Sequence, residues 1–130
     1  MKKEIFLQIT LINELNLLSG KTIDGSKTII INFYIEKDLN PGNLCIDHYV
    51  NDKKYNKFIK KNKIINHLFI TEQNYNYGKK NVFEDKNNTI KNLLFENAEW
   101  CGNYIIIKPD GSFIRKYGEY IQDDIPNLIK

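Results

Sequence analysis

The chain of 130 residues is poor in several residue types that mark particular classes of protein. It holds two cysteines, three prolines and one tryptophan, and its single arginine and single alanine are Arg115 and Ala98. Two cysteines far apart exclude a disulfide-rich scaffold and favour a reducing compartment. One arginine argues against a domain specialised for phosphate forks or base readout. No apolar run approaches the roughly 18 residues that a membrane span requires.

The sequence also lacks the signatures of common catalytic folds. It contains no Gly-x-Ser-x-Gly, phosphate-binding loop, dinucleotide fingerprint or His-Glu-x-x-His motif. Residues 1–8 begin like a signal peptide, but Glu4 interrupts the apolar run and no small-residue cleavage site follows. The cysteine usage, the missing cleavage site and the missing membrane span together predict a cytoplasmic protein without a membrane partner. The formal net charge of only +3 argues against a nucleic-acid partner. No cofactor and no metal are expected.

The apolar residues that are present suffice for one packed domain. The chain is 42% hydrophobic and 12% aromatic, and about two-thirds of the unfolded surface of a chain this long can be buried. Ile5, Leu7, Ile9 and Leu11 alternate with mostly polar residues, so residues 3–12 are predicted to form a half-buried strand. Residues 28–36 alternate in the same way. Turn signals between the two segments predict an antiparallel pair.

The middle of the chain predicts two helices and two further strands. Asp52 is the expected cap of a helix that continues to about residue 62, and a buried strand follows over residues 64–70. A short edge strand is expected near Val82. A second helix is expected from Asn88 or Thr89 to about residue 98, ended by Gly102, with a strand over residues 90–96 as the alternative.

A hairpin is predicted near the carboxyl terminus. Lys108-Pro-Asp-Gly-Ser112 suits a type I turn with a left-handed glycine, and it would set Ile107 opposite Phe113 and Tyr104 opposite Lys116. Since both faces are apolar, the hairpin is expected inside the sheet. The predicted fold is a single α+β domain over residues 1–130, with a mostly antiparallel sheet of five or six strands and one to three helices. An all-β fold is the alternative, if residues 53–62 and 89–99 are extended.

Trp100-Cys101-Gly102 resembles the first three residues of the thioredoxin active site. Dithiol exchange of that kind needs a second thiol one helical turn later, and Tyr104 occupies that position. A strand, rather than a helix, is predicted to follow. The stretch therefore predicts a buried structural thiol beside a core tryptophan.

The two cysteines and two histidines are the other candidates for chemistry. Cys45 and His48, with His67 and Cys101, could in principle assemble a zinc site or a Cys–His nucleophile pair oriented by Asp47 or an asparagine. No flanking signature accompanies either thiol. A small hydrolase or transferase with such a pair is therefore the alternative to the main functional prediction.

Lysines and tyrosines supply the remaining candidate surface. Six lysines between residues 53 and 63 cover the solvent face of the predicted helix, and several tyrosines lie in polar segments outside any apolar stripe. The lysine segment is alternatively a weak nucleic-acid site. The main prediction is a non-catalytic protein-binding domain of the inhibitor or immunity type, which neutralises a protein partner such as a toxin encoded nearby. Its candidate binding residues are Lys53, Lys54, Lys57, Lys60, Lys61, Tyr75, Tyr77, Tyr117 and Tyr120.

Overall fold

The computed structural model describes residues 2–35, 45–79, 81–118 and 120–129, with side chains from Gln8 onward except that of Cys45. The elements in chain order are α1 (Lys2–Ser19), β1 (Thr28–Tyr34), α2 (Cys45–Val50), α3 (Lys53–Lys61), β2 (Ile65–Thr71), β3 (Val82–Glu84), α4 (Thr89–Leu94), β4 (Gly102–Ile107), β5 (Phe113–Tyr117) and α5 (Ile125–Leu128). A 3-10 turn over Gln122–Asp124 precedes α5. Among the described residues, no helix is long and apolar enough to cross a membrane.

The described strands form one mixed sheet in the order β3-β2-β1-β4-β5. Strand β1 lies at its centre, parallel to β2 and antiparallel to β4, while β3 extends the parallel half and β5 the antiparallel half. The predicted α+β class and five strands are confirmed, but the mostly antiparallel sheet is wrong. Strand β2 follows β1 through the helices α2 and α3, and a crossover of that kind produces parallel pairing.

The predicted amino-terminal strand is wrong, because residues 3–12 belong to helix α1. Leu11 and Leu15 are 3% and 0% exposed, whereas Ile9 is 56% exposed. Spacing of four residues places the two leucines on one helical face, where they pack against the sheet. The alternation that predicted a strand ends at Leu11, and the helical spacing becomes visible only when the pattern is followed to Leu18.

Two apolar layers cover the two faces of the sheet. Residues of α1 and α4 pack against the face that carries Ile31 and Phe33, and the Phe33 and Phe95 rings stack at 4.8 Å. Residues of α2, α3 and α5 pack against the opposite face, which carries Ile30 and Tyr34. The central strand is therefore buried on both sides.

The middle of the chain agrees largely with its sequence prediction. The side chain of Asp52 accepts a hydrogen bond from the backbone N–H of Tyr55 and caps α3 as expected. Strand β2 and the short edge strand β3 are confirmed. Helix α4 rules out the all-β alternative but ends at Leu94, and Gly102 begins β4 rather than ending that helix. Buried Asp85 caps α4 by accepting backbone N–H groups at 2.9 and 3.1 Å.

The hairpin has the predicted register but not the predicted place in the sheet. Ile107 pairs with Phe113 and Tyr104 pairs with Lys116, and Gly111 has the left-handed φ of 91° that the turn requires. Strand β4 lies inside the sheet, between β1 and β5, but β5 is an edge strand whose residues are mostly exposed. Apolar side chains on both faces of β5 therefore do not place it inside the sheet.

Candidate active site

Cys101 lies at the carboxyl end of the central strand. Its carbonyl oxygen accepts a hydrogen bond of 3.0 Å from the backbone N–H of Ile35, the residue that follows β1. The residue is half-buried, and its sulfur is part of a disulfide. The prediction of a buried thiol with a purely structural role is therefore corrected. This cysteine is oxidised, and it lies opposite the residue that follows β1.

Tyr49, near the end of helix α2, lies against the same place. A Cβ atom on Gly102 would come within 3.1 Å of the Tyr49 ring, and that ring is 5.5 Å from the ring of Tyr34 at the end of β1. Helix α2 begins at Cys45, four residues before Tyr49. The only other cysteine of the chain is thus the first residue of the helix whose Tyr49 ring packs on Gly102, the residue after Cys101.

Trp100, the residue before Cys101 in the chain, stands on the surface. It is 60% exposed, and its ring lies over Gly118, where a Cβ atom would be 3.3 Å from Cδ1. The interior position is taken by Asn103, whose side chain donates to the Trp100 carbonyl and accepts from the backbone N–H of Gly118. The prediction of a core tryptophan is therefore wrong. The buried side-chain amide of Asn103 occupies the interior instead and connects two loops.

A buried polar cluster around Asn32 lies on the sheet face that α2 and α3 cover. The Asn32 amide nitrogen donates to the Tyr55 hydroxyl at 3.0 Å and to Nε2 of His67 at 2.7 Å. Its carbonyl oxygen accepts from the hydroxyl of Tyr120. Because Nε2 accepts, the His67 ring is neutral with its proton on Nδ1. Burial, with a contribution from the charge of Lys21, lowers the pKa of His67 to about 3.

Tyrosine rings connect this cluster to helix α2. The Tyr120 ring stacks on Tyr49 at 4.6 Å and meets Tyr104 edge-on at 4.8 Å. Burial raises the pKa of Tyr120 and of Tyr34, so both phenols stay protonated at neutral pH. The layer beneath the turn of α2 is consequently polar but uncharged.

The lysines and tyrosines predicted to bind a partner do not form one surface. The lysines are exposed on α3 as expected, but Tyr75 is only 8% exposed and belongs to the core. The hydroxyl of half-buried Tyr77 donates to Asp47, and that of Tyr120 to Asn32. Tyr117 lies against the opposite face of the sheet. The five lysines are Lys53, Lys54, Lys57, Lys60 and Lys61.

The predicted Cys–His and zinc alternatives are not assembled in the described part of the chain. His48 is exposed on α2, while His67 is bonded to Asn32. Cys101 is a disulfide and therefore neither a free nucleophile nor a thiolate ligand in this state. Among the residues with described side chains, no group of three or more His, Cys, Asp and Glu is placed to hold a metal ion.

Two features of the site were missed from the sequence. Asn32 is a single amide inside an apolar strand, and that interruption was the available signal for a buried polar cluster. The disulfide carried no comparable signal, because the two cysteines are far apart along the chain and only the fold brings their segments together.

Comparison with known proteins identifies the fold. No family model matches the chain, and no match is found among curated proteins. The exposed thioredoxin lipoprotein Etrx1 of Streptococcus pneumoniae strain TIGR4 superposes with a TM-score of 0.58 at 13% identity, over 86% of this chain and 93% of its own. MTB dsbF superposes with a TM-score of 0.55 at 10% identity, over 80% of this chain and 79% of its own. A secreted Mycobacterium tuberculosis disulfide oxidoreductase homologous to E. coli DsbE superposes with a TM-score of 0.53 at 13% identity, over 80% of this chain and 81% of its own.

The chain therefore has a thioredoxin-like fold, and this finding corrects the functional prediction. The solved structures it resembles are a thioredoxin, dsbF and a disulfide oxidoreductase. They contradict the predicted non-catalytic inhibitor or immunity protein and the prediction that the chain is not an enzyme. Trp100-Cys101-Gly102, the stretch that resembled a thioredoxin motif, leads into strand β4 rather than into a helix.

Proposed function

We propose that the protein is a thiol–disulfide oxidoreductase whose redox couple is Cys45 and Cys101. The observation that carries the proposal is the disulfide of Cys101, which lies where the central strand β1 ends. Cys45 is the only other cysteine, and it is the first residue of the helix whose Tyr49 ring packs on Gly102. The thioredoxin-like fold supports the same chemistry, since its solved neighbours include a disulfide oxidoreductase.

The couple differs from a Cys-x-x-Cys motif because its two members lie on different elements. Residues 45 and 101 are 56 positions apart, so the bond ties the start of α2 to the start of β4. In the chain-entropy description, closing a loop of this length stabilises a fold by about 4 kcal/mol. Reduction would therefore lower the free energy of unfolding by about the same amount.

The exchange proceeds in two balanced steps. A thiolate of a substrate dithiol attacks one sulfur of the Cys45–Cys101 bond, forms a mixed disulfide and releases the other cysteine as a thiolate. The second substrate thiol then gives up its proton and attacks the mixed disulfide. The substrate leaves as a disulfide, and the protein keeps two electrons and two protons as a dithiol. The reverse sequence reduces a substrate disulfide.

The surroundings of Cys101 suit a protein substrate. Trp100, one residue before Cys101 in the chain, has a large exposed ring, and aromatic side chains are favoured anchors in protein–protein contacts. The partner would then be a thiol-bearing or disulfide-bearing protein. The cytoplasmic location expected from the sequence stays a prediction.

Reaction with a synthetic peptide that contains two cysteines tests the proposal. The oxidised protein is mixed with the reduced peptide, the reaction is quenched by alkylation, and mass spectrometry follows both partners. We expect one peptide disulfide to form for each protein dithiol. Cys45→Ser and Cys101→Ser should each abolish turnover, and each should trap a mixed disulfide with a thionitrobenzoate-activated peptide. Full turnover by either variant would contradict the couple.

A further inference from the structure

A cavity of about 250 Å³ lies on the sheet face opposite α2, between α1, α4 and the β4–β5 hairpin. Its described walls are largely apolar. Gln8 extends from α1 to within 4.0 Å of the position that a Cβ atom would take on Gly111, and so lies at the turn end of the cavity. The apolar lining residues are Leu11, Leu93, Leu94, Ile105, Ile107 and Phe113.

Arg115 is the only charged side chain among the described residues that line this cavity. Its guanidinium carbon lies 5.5 Å from the centre of the Phe113 ring and 5.0 Å from that of Tyr117. One terminal nitrogen, Nη1, donates to the Leu94 carbonyl at 3.1 Å. Two rings and one hydrogen bond therefore hold this exposed arginine at the rim of an apolar pocket that is open to solvent.

The remaining donors of this arginine have no anion in the described part of the chain. A guanidinium carries five N–H groups, and the single recorded hydrogen bond uses one of them. A guanidinium edge binds a carboxylate through two parallel hydrogen bonds, and side chains already held in one geometry lose less entropy when they bind. The site therefore offers charge complementarity to a ligand with an apolar body and one carboxylate.

We propose that this cavity binds a small hydrophobic carboxylic acid, with its carboxylate on Arg115 and its apolar body against the leucines and isoleucines. The cavity volume sets the size of the ligand. A dry cavity of about 150 Å³ accepts benzene, and pockets for drug-sized ligands begin at about 300 Å³. A volume of 250 Å³ lies between these, which suits an acid with about six to nine carbons, such as octanoate or phenylpropanoate. The proposal does not depend on the thiol–disulfide activity.

The single arginine of the chain supplies its own reporter. In protein labelled with ¹⁵N-arginine, only one Nε–H signal is expected, and it belongs to Arg115. Titration with octanoate should shift this signal to saturation, whereas acetate should not, because it has no apolar body. Octanol should bind at least tenfold more weakly, because it lacks the carboxylate.

Variants separate the site from general surface charge. Arg115→Gln should weaken octanoate binding at least tenfold in calorimetry, while Lys116→Gln, the same charge change on the opposite face of β5, should leave it within twofold. Equal weakening by both variants, octanol binding as tight as octanoate binding, or no saturable shift would overturn the proposal. Tighter binding of a short peptide that ends in leucine would overturn the assignment to a free acid.

Discussion

Mild acid should destabilise this protein through one histidine. The His67 ring is half-buried, and its Nε2 accepts the amide hydrogen of Asn32 at 2.7 Å. Protonation would place a second donor against that amide and a charge inside the sheet. Burial therefore lowers the pKa of His67 from 6.5 to about 3, with a smaller contribution from Lys21.

The direction of the effect follows from the two pKa values. As the pH falls, the unfolded chain binds a proton at His67 before the folded chain does, so stability is lost between about pH 6.5 and pH 3. Each pH unit in this window lowers the free energy of unfolding by about 1.4 kcal/mol. Between pH 7.5 and pH 5 the free energy of unfolding should therefore fall by about 2 kcal/mol from this group.

Urea unfolding at pH 7.5 and pH 5 measures this loss. A change of 2 kcal/mol corresponds to a midpoint shift of about 1 M urea. His67→Gln, which can accept the same hydrogen bond without titrating, should remove most of the shift. His48→Gln, on the exposed face of α2, is the matched control and should retain it. If His67→Gln shifts as much as the unchanged chain, a neutral histidine in the Asn32 cluster is refuted.

Three substitutions probe other parts of the structure by the same measurement. Phe95→Ala removes the ring stacked on Phe33 and should cost about 3–5 kcal/mol of the free energy of unfolding. Gly118→Ala places a Cβ atom at a φ of 92° against Trp100; it should cost about 1–2 kcal/mol and change the Trp100 fluorescence. Asp85→Ala removes the buried cap of α4 and should cost about 2 kcal/mol.

Each of the three has a matched control on the surface. Phe113→Ala removes a ring that is 57% exposed, and Gly20→Ala has a left-handed φ of 68° with nothing within 4 Å of the new Cβ atom. Asp110→Ala removes a carboxylate in an exposed turn. Each control substitution should lower the free energy of unfolding by less than the substitution to which it is matched. A Gly20→Ala variant that also altered the fluorescence would show that Trp100 responds to general loosening.

The elements with local signals were predictable from the sequence. Asp52 marks the start of α3, and Gly111 closes the hairpin with the predicted register, because caps and turns depend on a few neighbouring residues. The amino-terminal helix was not predicted, since alternating residues from Ile5 to Leu11 imitate a strand over a short window. The signal for parallel pairing of β1 and β2 was the helix predicted between them, because a strand–helix–strand connection produces parallel strands.

The candidate site could not be predicted because the fold creates it. Trp100-Cys101-Gly102 carries the disulfide-bonded cysteine, but that cysteine precedes a strand, and helix α2 begins with the other cysteine, Cys45. Nothing local joins residues 45 and 101. Asn32 was visible as an outlier, but its three partners come from separate parts of the chain.

Redox titration of the native protein tests whether Cys45 and Cys101 form a reversible redox couple. The protein is equilibrated with mixtures of oxidised and reduced dithiothreitol, and the fluorescence of Trp100, the only tryptophan and the neighbour of Cys101, is recorded. A peptide map without reductant identifies the bond. We expect a Cys45–Cys101 cross-link and a reversible two-electron transition, in which the ratio of oxidised to reduced protein changes tenfold for about every 30 mV. A map in which Cys101 is not joined to Cys45, or a transition that does not reverse, would refute the proposed couple.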